Sequence, residues 1–341
     1  MNISILGFGR IGRDLLRQTL DNDSINIVSI SDIADKENLI YLLKYDTIYG
    51  KLDADIQITD TGFTINGRNI VFNNWKDASD ASWNELKTDI LIISTGKQQN
   101  IGEVNEHIKK GCKKVLIAST PETGSNIQIY VPGANDSEVD FTKDIISLGS
   151  NTANAVSPLL KIINEVYGVK RAFLTTVHGY SNSNRLADVA GEGFRLNRAA
   201  GENIIPGITK SSEVIETVLP FIKNKVASSS MTVPVPDGST VDLTLDIEKE
   251  ASSEEINTAI QNAIKNPPYN KVLDITFDPI VSSDVVGNSH SGIIDGLATM
   301  EINKNKIKIL VWFDNGWGYS CLLYTSPSPR DRTRSRMPSS A

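Results

Sequence analysis

Cysteine is scarce in this chain: two residues, Cys112 and Cys321, in 341. So few thiols exclude a disulfide framework and fit a reducing compartment, and because neither sits in a cluster spaced for metal ligation, no metal is expected. Long apolar runs are also missing. Nothing approaches the ~20 consecutive apolar residues that cross a bilayer, so no membrane association is expected. The opening Met-Asn-Ile-Ser-Ile-Leu passes directly into a glycine-rich turn. That leaves no room for a basic segment, an apolar segment and a cleavage site, and the expected location is cytoplasmic. Basic charge is in deficit, with 34 Lys and Arg against 41 Asp and Glu for a net −7. Four of those arginines (Arg330, Arg332, Arg334 and Arg336) crowd into residues 321–341 beside one acid, Asp331. The rest of the chain is more acidic still, which disfavours a general nucleic-acid surface.

A chain of 341 residues exceeds the size at which one hydrophobic core stops growing, so two domains are expected. The first opens with a short apolar run, Ile3 to Leu6, then Gly7-Phe8-Gly9-Arg10-Ile11-Gly12, then a helical stretch carrying Leu15, Leu16 and Leu20. Strand, tight turn and helix in that order form a dinucleotide fingerprint. Its glycines serve the turn, the approach of a pyrophosphate and the packing of helix on strand. A second apolar run, Ile25 to Ile30, leads to Asp32, 20 residues after Gly12. A carboxylate at that distance hydrogen-bonds an adenosine ribose and repels a 2′-phosphate, so NAD is expected rather than NADP. Strands at Asp89 to Ser94 and Lys114 to Ala118, separated by a helix near Val104 to Lys110, continue the βαβ pattern of a parallel sheet. Thr95, Gly96, Ser119 and Thr120 fall just beyond their carboxyl ends, where an open α/β sheet places its ligand crevice.

Apolar residues then recur at helical spacing from Thr152 to Tyr167, with Gly168 as a stop. Beyond it the period changes to strands. Val233 to Val241 joins two alternating stretches through a turn, Ile293 to Ile302 and Ile307 to Phe313 continue the pattern, and one helix, about Ser253 to Lys265, interrupts it. The expectation is an α/β protein: a Rossmann-type parallel-sheet NAD-binding domain (1–150), then an α+β catalytic-type domain with a largely antiparallel sheet (151–320), then a disordered tail (321–341).

The sequence resembles the glyceraldehyde-3-phosphate dehydrogenase family through GFGRIGR (7–13), LLKYDTIYGKLDA (42–54), Thr175-Thr-Val-His178, Asn203-Ile-Ile-Pro206, Val241-Asp-Leu243 and Trp312-Phe-Asp-Asn-Gly-Trp-Gly-Tyr319. The resemblance implies NAD-dependent oxidation of an aldehyde, with attack by a cysteine thiolate, a histidine base and capture of inorganic phosphate. It also implies a homotetramer. It assigns Arg10, Ile11, Asp32, Lys76 and Ser119 to the adenosine and diphosphate and Asn315 to the nicotinamide carboxamide. Residues 180–203 become a loop lining the cofactor site and subunit interface.

Against that pattern, the family's serine-cysteine-threonine-threonine-asparagine stands here as Ser150-Asn151-Thr152-Ala153-Asn154. An amide cannot form a thiohemiacetal, and loss of the nucleophile in an unrelated serine protease lowers turnover by about 10⁶. Asn151 itself is expected to cap the helix that it begins. Thr232 stands where relatives carry an arginine that grips substrate phosphate, a loss of ~1.5–3 kcal/mol of binding. Lys210 replaces a glycine of the phosphate-binding turn and offers a charge in partial return. Ser150, Thr152, Ser181 and Thr209 complete the expected substrate site, and His178 remains as the base. Cys112, at a helix-to-strand turn, is no substitute nucleophile.

The segment CLLYTSPSPRDRTRSRMPSSA (321–341) replaces the family's amphipathic helix and reads like translated adapter sequence rather than an arginine-rich arm binding nucleic acid. Two functions remain open. One is an oxidoreductase redirected to cysteine-independent hydride transfer on a small aldehyde, alcohol or sugar derivative. The other is a catalytically inactive NAD-binding regulatory or partner protein, a pseudoenzyme.

Overall fold

The computed structural model describes residues 1–75, 80–191 and 193–325. In the first domain β1 (Asn2–Leu6) leads through the Gly7 turn into α1 (Arg10–Thr19), then β2 (Asn26–Ser31) and α2 (Lys36–Lys44). A two-stranded ribbon, β3 (Tyr45–Asp46) and β4 (Gly50–Lys51), precedes β5 (Ile56–Thr59), β6 (Gly62–Ile65) and β7 (Arg68–Asn73). The chain continues through β8 (Ile90–Ile93), α3 (Ile101–Lys109), β9 (Lys114–Ile117), β10 (Gln128–Ile129) and β11 (Ile145–Ser147). Nine strands form one sheet in the order β10-β11-β9-β8-β1-β2-β7-β6-β5. It is parallel from β10 to β7, and β6 and β5 add an antiparallel edge. All four residues of β8 are buried, as expected for a strand covered on both faces.

The second domain begins with α4 (Asn151–Tyr167), followed by β12 (Val169–Gly179), β13 (Ile205–Gly207), α5 (Ser211–Val218), β14 (Val226–Val233) and β15 (Ser239–Ile247). Then come α6 (Ser253–Ala263), β16 (Leu273–Thr276), β17 (Gly292–Ile302), β18 (Lys306–Phe313) and α7 (Trp317–Thr325). The seven-stranded sheet runs β13-β14-β12-β15-β18-β17-β16. It is largely antiparallel, with β12/β14 and β16/β17 parallel. The turn after Val233 does join β14 to β15, but β12 lies between them, so the two are not a hairpin. Both strands instead pair with β12, and this carries the end of β12 to the middle of the sheet.

Two corrections concern helix ends. The side chain that caps α4 belongs to Ser150, whose hydroxyl accepts the Ala153 N–H at 3.1 Å. Asn151 is the first helical residue, so the cap lies one position earlier than expected. At the other terminus the boundary after Ser320 falls inside α7. Cys321, Leu322 and Leu323 are buried, and α7 packs on α1. Gln18 Nε2 donates to the Trp317 carbonyl at 2.9 Å, and the Ser320 hydroxyl reaches the Ile11 carbonyl at 3.4 Å. The remainder of the expected tail, 326–341, lies outside the described residues.

Candidate active site

The two domains enclose a cavity of about 1220 Å³. Many of the contributing segments reach it from the end of a strand or the start of a helix. Gly9, Arg10 and Ile11 follow β1, Ala118, Ser119 and Thr120 follow β9, and Ser150 and Asn151 open α4. His178 and Gly179 end β12, Thr232 lies on β14, and Asn315 follows β18. Thr232 pairs in register with His178, which puts the two side by side on neighbouring strands.

The glycines of the first turn have distinct physical reasons. Gly7 has φ +94°, and a Cβ there would lie 2.7 Å from backbone atoms of Ser94 and Thr95. A Cβ on Gly12 would lie 2.5 Å from the Gly7 carbonyl oxygen, so only glycine lets α1 approach β1 this closely. Gly9 has nothing within 4 Å of its absent Cβ and faces the cavity. Helix α1 has no side-chain cap and no acid in its first turn, so its leading N–H groups remain available to an anion. Asp32, at the end of β2, is held by the Phe8 N–H at 2.6 Å and the Ala34 N–H at 2.9 Å. An open backbone approach, an uncapped helix start and an anchored carboxylate together fit a dinucleotide.

Of the residues expected from sequence, Gly9, Arg10, Ile11, Ser119, Ser150, Asn151, His178, Ser181, Thr232 and Asn315 border the cavity. Gly7, Gly12, Asp32, Thr95 and Gly96 are not in its wall; Gly7, Gly12 and Thr95 form the packing behind the first turn. Lys76 lies outside the described residues. Thr152 is buried behind His178, with its Oγ1 3.3 Å from Nε2. Thr209 and the exposed Lys210 do not line the cavity. Thr209 instead hydrogen-bonds Ser211 at 2.8 Å, at the start of α5. Sequence reasoning passed over Arg195, which does line the cavity. It also passed over Ser239 and Asp237, which hydrogen-bond the lining residues His178 and Asn315. A lone serine or aspartate in a turn carries no signal of such a role.

Asn151 is engaged at both ends of its amide. Its Oδ1 accepts the Thr152 N–H at 2.8 Å and its Nδ2 donates to the Asn315 carbonyl at 3.1 Å. The Asn315 N–H in turn donates to Asp237 Oδ1 at 3.0 Å. His178 places Nδ1 3.1 Å from the Ser239 hydroxyl and stacks edge-on against Phe313 at 5.7 Å between ring centroids. Burial lowers its pKa to about 4, against an opposing pull from Asp237, so the imidazole is neutral near pH 7. No cysteine lines the cavity among the described residues. Cys112 is buried, donates to the His107 carbonyl at 3.2 Å, and has its pKa pushed up to about 12 by burial. Burial also raises the pKa of Cys321.

Beneath the Asn315 segment lies an acidic cluster. The Tyr49 hydroxyl is 2.9 Å from Asp314 Oδ1 and 3.1 Å from Asp237 Oδ2. Burial raises the pKa of Tyr49, with Asp14, Asp314 and Asp237 adding to it. Asp14, on α1, is 1% exposed and neither of its carboxyl oxygens has a hydrogen-bond partner among the described residues. Burial, then Asp314 and Asp46, push its pKa up to about 8.

Comparison with known proteins agrees with this architecture. Residues 1–101 match the family model for the glyceraldehyde 3-phosphate dehydrogenase NAD binding domain, and residues 150–315 match that for its C-terminal domain. The chain is 37% identical over 321 residues to a glyceraldehyde-3-phosphate dehydrogenase of Priestia megaterium, covering 94% of this chain and 95% of that protein. It is 40% identical over 322 residues to glyceraldehyde-3-phosphate dehydrogenase 2 of Streptomyces avermitilis, at 94% and 95% coverage. The Geobacillus stearothermophilus enzyme is 37% identical over 321 residues, at the same coverage. Fold, cavity and relatives converge: this chain belongs to the glyceraldehyde-3-phosphate dehydrogenase family of NAD-binding oxidoreductases.

Proposed function

We propose that this protein is an NAD-dependent oxidoreductase whose chemistry does not pass through a thiol, with ordinary phosphorylating aldehyde oxidation lost or severely impaired. The observation that carries this reading is Asn151. It stands where the family's nucleophile is expected, and its amide is used internally, bridging α4 to Asn315. Neither cysteine offers a replacement, because each is buried away from the cavity with a raised pKa.

NAD supplies a hydride acceptor when bound. Gly9, Arg10 and Ile11 at the start of α1 would meet its diphosphate, Asp32 its ribose, and Asn315 its carboxamide. Ser150, Ser181 and Thr232 present hydroxyls to a small aldehyde, alcohol or sugar derivative, a sugar phosphate included. His178, neutral and facing the cavity, would take the proton from a bound alcohol or hydrated aldehyde.

A pKa of about 4 for His178 makes it a reluctant base. This favours a second reading, in which the chain binds NAD without turnover and serves as the partner of an active dehydrogenase. We further propose a cytoplasmic homotetramer. Phe194 is 96% and Ile208 99% exposed, a solvation that a second copy would relieve. Sedimentation should give a mass four times that of the chain, and a monomer at micromolar concentration would contradict it. NADH absorbance on a panel of aldehydes and alcohols, with and without phosphate, separates the two readings. Turnover that survives thiol alkylation and vanishes in His178→Ala identifies the redirected enzyme. Calorimetric NAD binding without turnover identifies the silent partner.

A further inference from the structure

We propose that Ser239 is a positioning residue that ties the amide orientation of Asn315 to the tautomer of His178 through its single hydroxyl proton. This rests on the reading of Asn315 and His178 given above. Ser239 opens β15, is fully buried, and touches three groups at once. Its hydroxyl donates to Asn315 Oδ1, accepts the Gly179 N–H at 3.2 Å, and lies 3.1 Å from His178 Nδ1. A hydroxyl has one proton and two lone pairs. With the proton directed to Asn315 and one lone pair receiving Gly179, the remaining lone pair can only accept from His178. The imidazole therefore carries its proton on Nδ1 and presents a bare Nε2, which the Thr152 hydroxyl meets at 3.3 Å.

The same hydroxyl fixes which end of the Asn315 amide is free. With Oδ1 held by Ser239, Nδ2 has no protein partner among the described residues and remains as a donor. The absent Cβ of Gly179, 3.2 Å from that nitrogen, leaves it space. Reversing the amide would turn Nδ2 onto Ser239. The serine proton would then swing to His178 Nδ1, and the imidazole would have to carry its own proton on Nε2, where it is a donor rather than a base. The Thr152 hydroxyl suits either state, so Ser239 decides. A cofactor carboxamide that offers its carbonyl oxygen to Asn315 thereby selects the basic form of His178. One that offers its NH₂ group selects the form that cannot accept a proton.

The test uses the full chain labelled with ¹⁵N and long-range ¹H–¹⁵N correlation of the histidine rings, with His178 assigned by the loss of its signals in His178→Gln. The expected result is a neutral His178 protonated on Nδ1. Ser239→Ala should give a mixture of tautomers and weaken calorimetric NAD binding about tenfold, and Ser239→Thr, which keeps the hydroxyl, should restore both. A Nε2-protonated ring in the unmodified chain overturns the proposal without any Ser239 variant having to fold. So does a Ser239→Ala protein matching the unmodified chain in tautomer and NAD affinity. Neither readout requires turnover, so absence of dehydrogenase activity leaves this test intact.

Discussion

At Asn151 a single amide joins the start of α4 to the carbonyl of Asn315. Removing one neutral hydrogen bond costs about 0.5–1.5 kcal/mol. Asn151→Ala should therefore loosen the Asn315 segment and weaken NAD binding roughly threefold to tenfold by calorimetry, while Ser150 continues to cap the helix. Unchanged affinity would show that the amide does not support the site. His178 carries a pH signature. Its pKa is about 4 in the fold against an ordinary 6.5, so between those values the unfolded chain binds more protons than the native one. Stability from this residue is fully present above pH 6.5 and lost as pH falls toward 4, by about 3 kcal/mol at 1.4 kcal/mol per unit. His178→Gln should flatten that part of a denaturant-unfolding profile, and an unaltered slope would exclude the histidine as its source.

The elements α1 and α7 meet around Asp14, whose titration has the opposite sign. A carboxyl raised from 3.8 to about 8 holds its proton in the fold and releases it on unfolding, so its contribution declines as pH climbs from about 4 to about 8. Asp14→Asn should abolish that decline and, at pH 9, be more stable than the unmodified chain by up to about 6 kcal/mol, at 1.4 kcal/mol per pH unit between 3.8 and about 8. A less stable variant at that pH would mean that the carboxylate has a partner. Leu323, 2% exposed on α7, tests whether the terminal helix belongs to the fold. Leu323→Ala should cost about 2–4 kcal/mol in unfolding free energy, whereas a change under about 0.5 kcal/mol would mean that α7 frays in solution. This helix was hidden in the sequence because Cys-Leu-Leu-Tyr-Thr precedes a stretch rich in Ser, Pro and Arg. Composition read over the whole segment masked the apolar run at its beginning.

For the whole molecule, the division into a parallel-sheet domain and a mostly antiparallel one was legible because apolar period and glycine punctuation are local signals. The first turn was legible for the same reason, since Gly7 and Gly12 each answer a clash only glycine avoids. Strand order was not. The placement of β12 between β14 and β15 depends on contacts far apart in sequence, and a turn of ordinary length looks the same in a hairpin and in a crossover. A place on the cavity wall was legible where a residue sat inside a motif, as with His178 and Asn315. A supporting role was not legible where one serine or aspartate acts only through neighbours brought together by folding, as Ser239 and Asp237 do. Lys210 shows the converse: its charge suggested a phosphate contact, yet it stands exposed and outside the cavity wall.

The central claim is that this chain does without a catalytic thiol, and the most direct measurement is NADH absorbance with glyceraldehyde 3-phosphate, NAD and inorganic phosphate, before and after cysteine alkylation. The account predicts no phosphate-dependent oxidation in either sample, and that any turnover found with other aldehydes or alcohols survives alkylation unchanged. Phosphate-dependent NADH formation abolished by alkylation would contradict it.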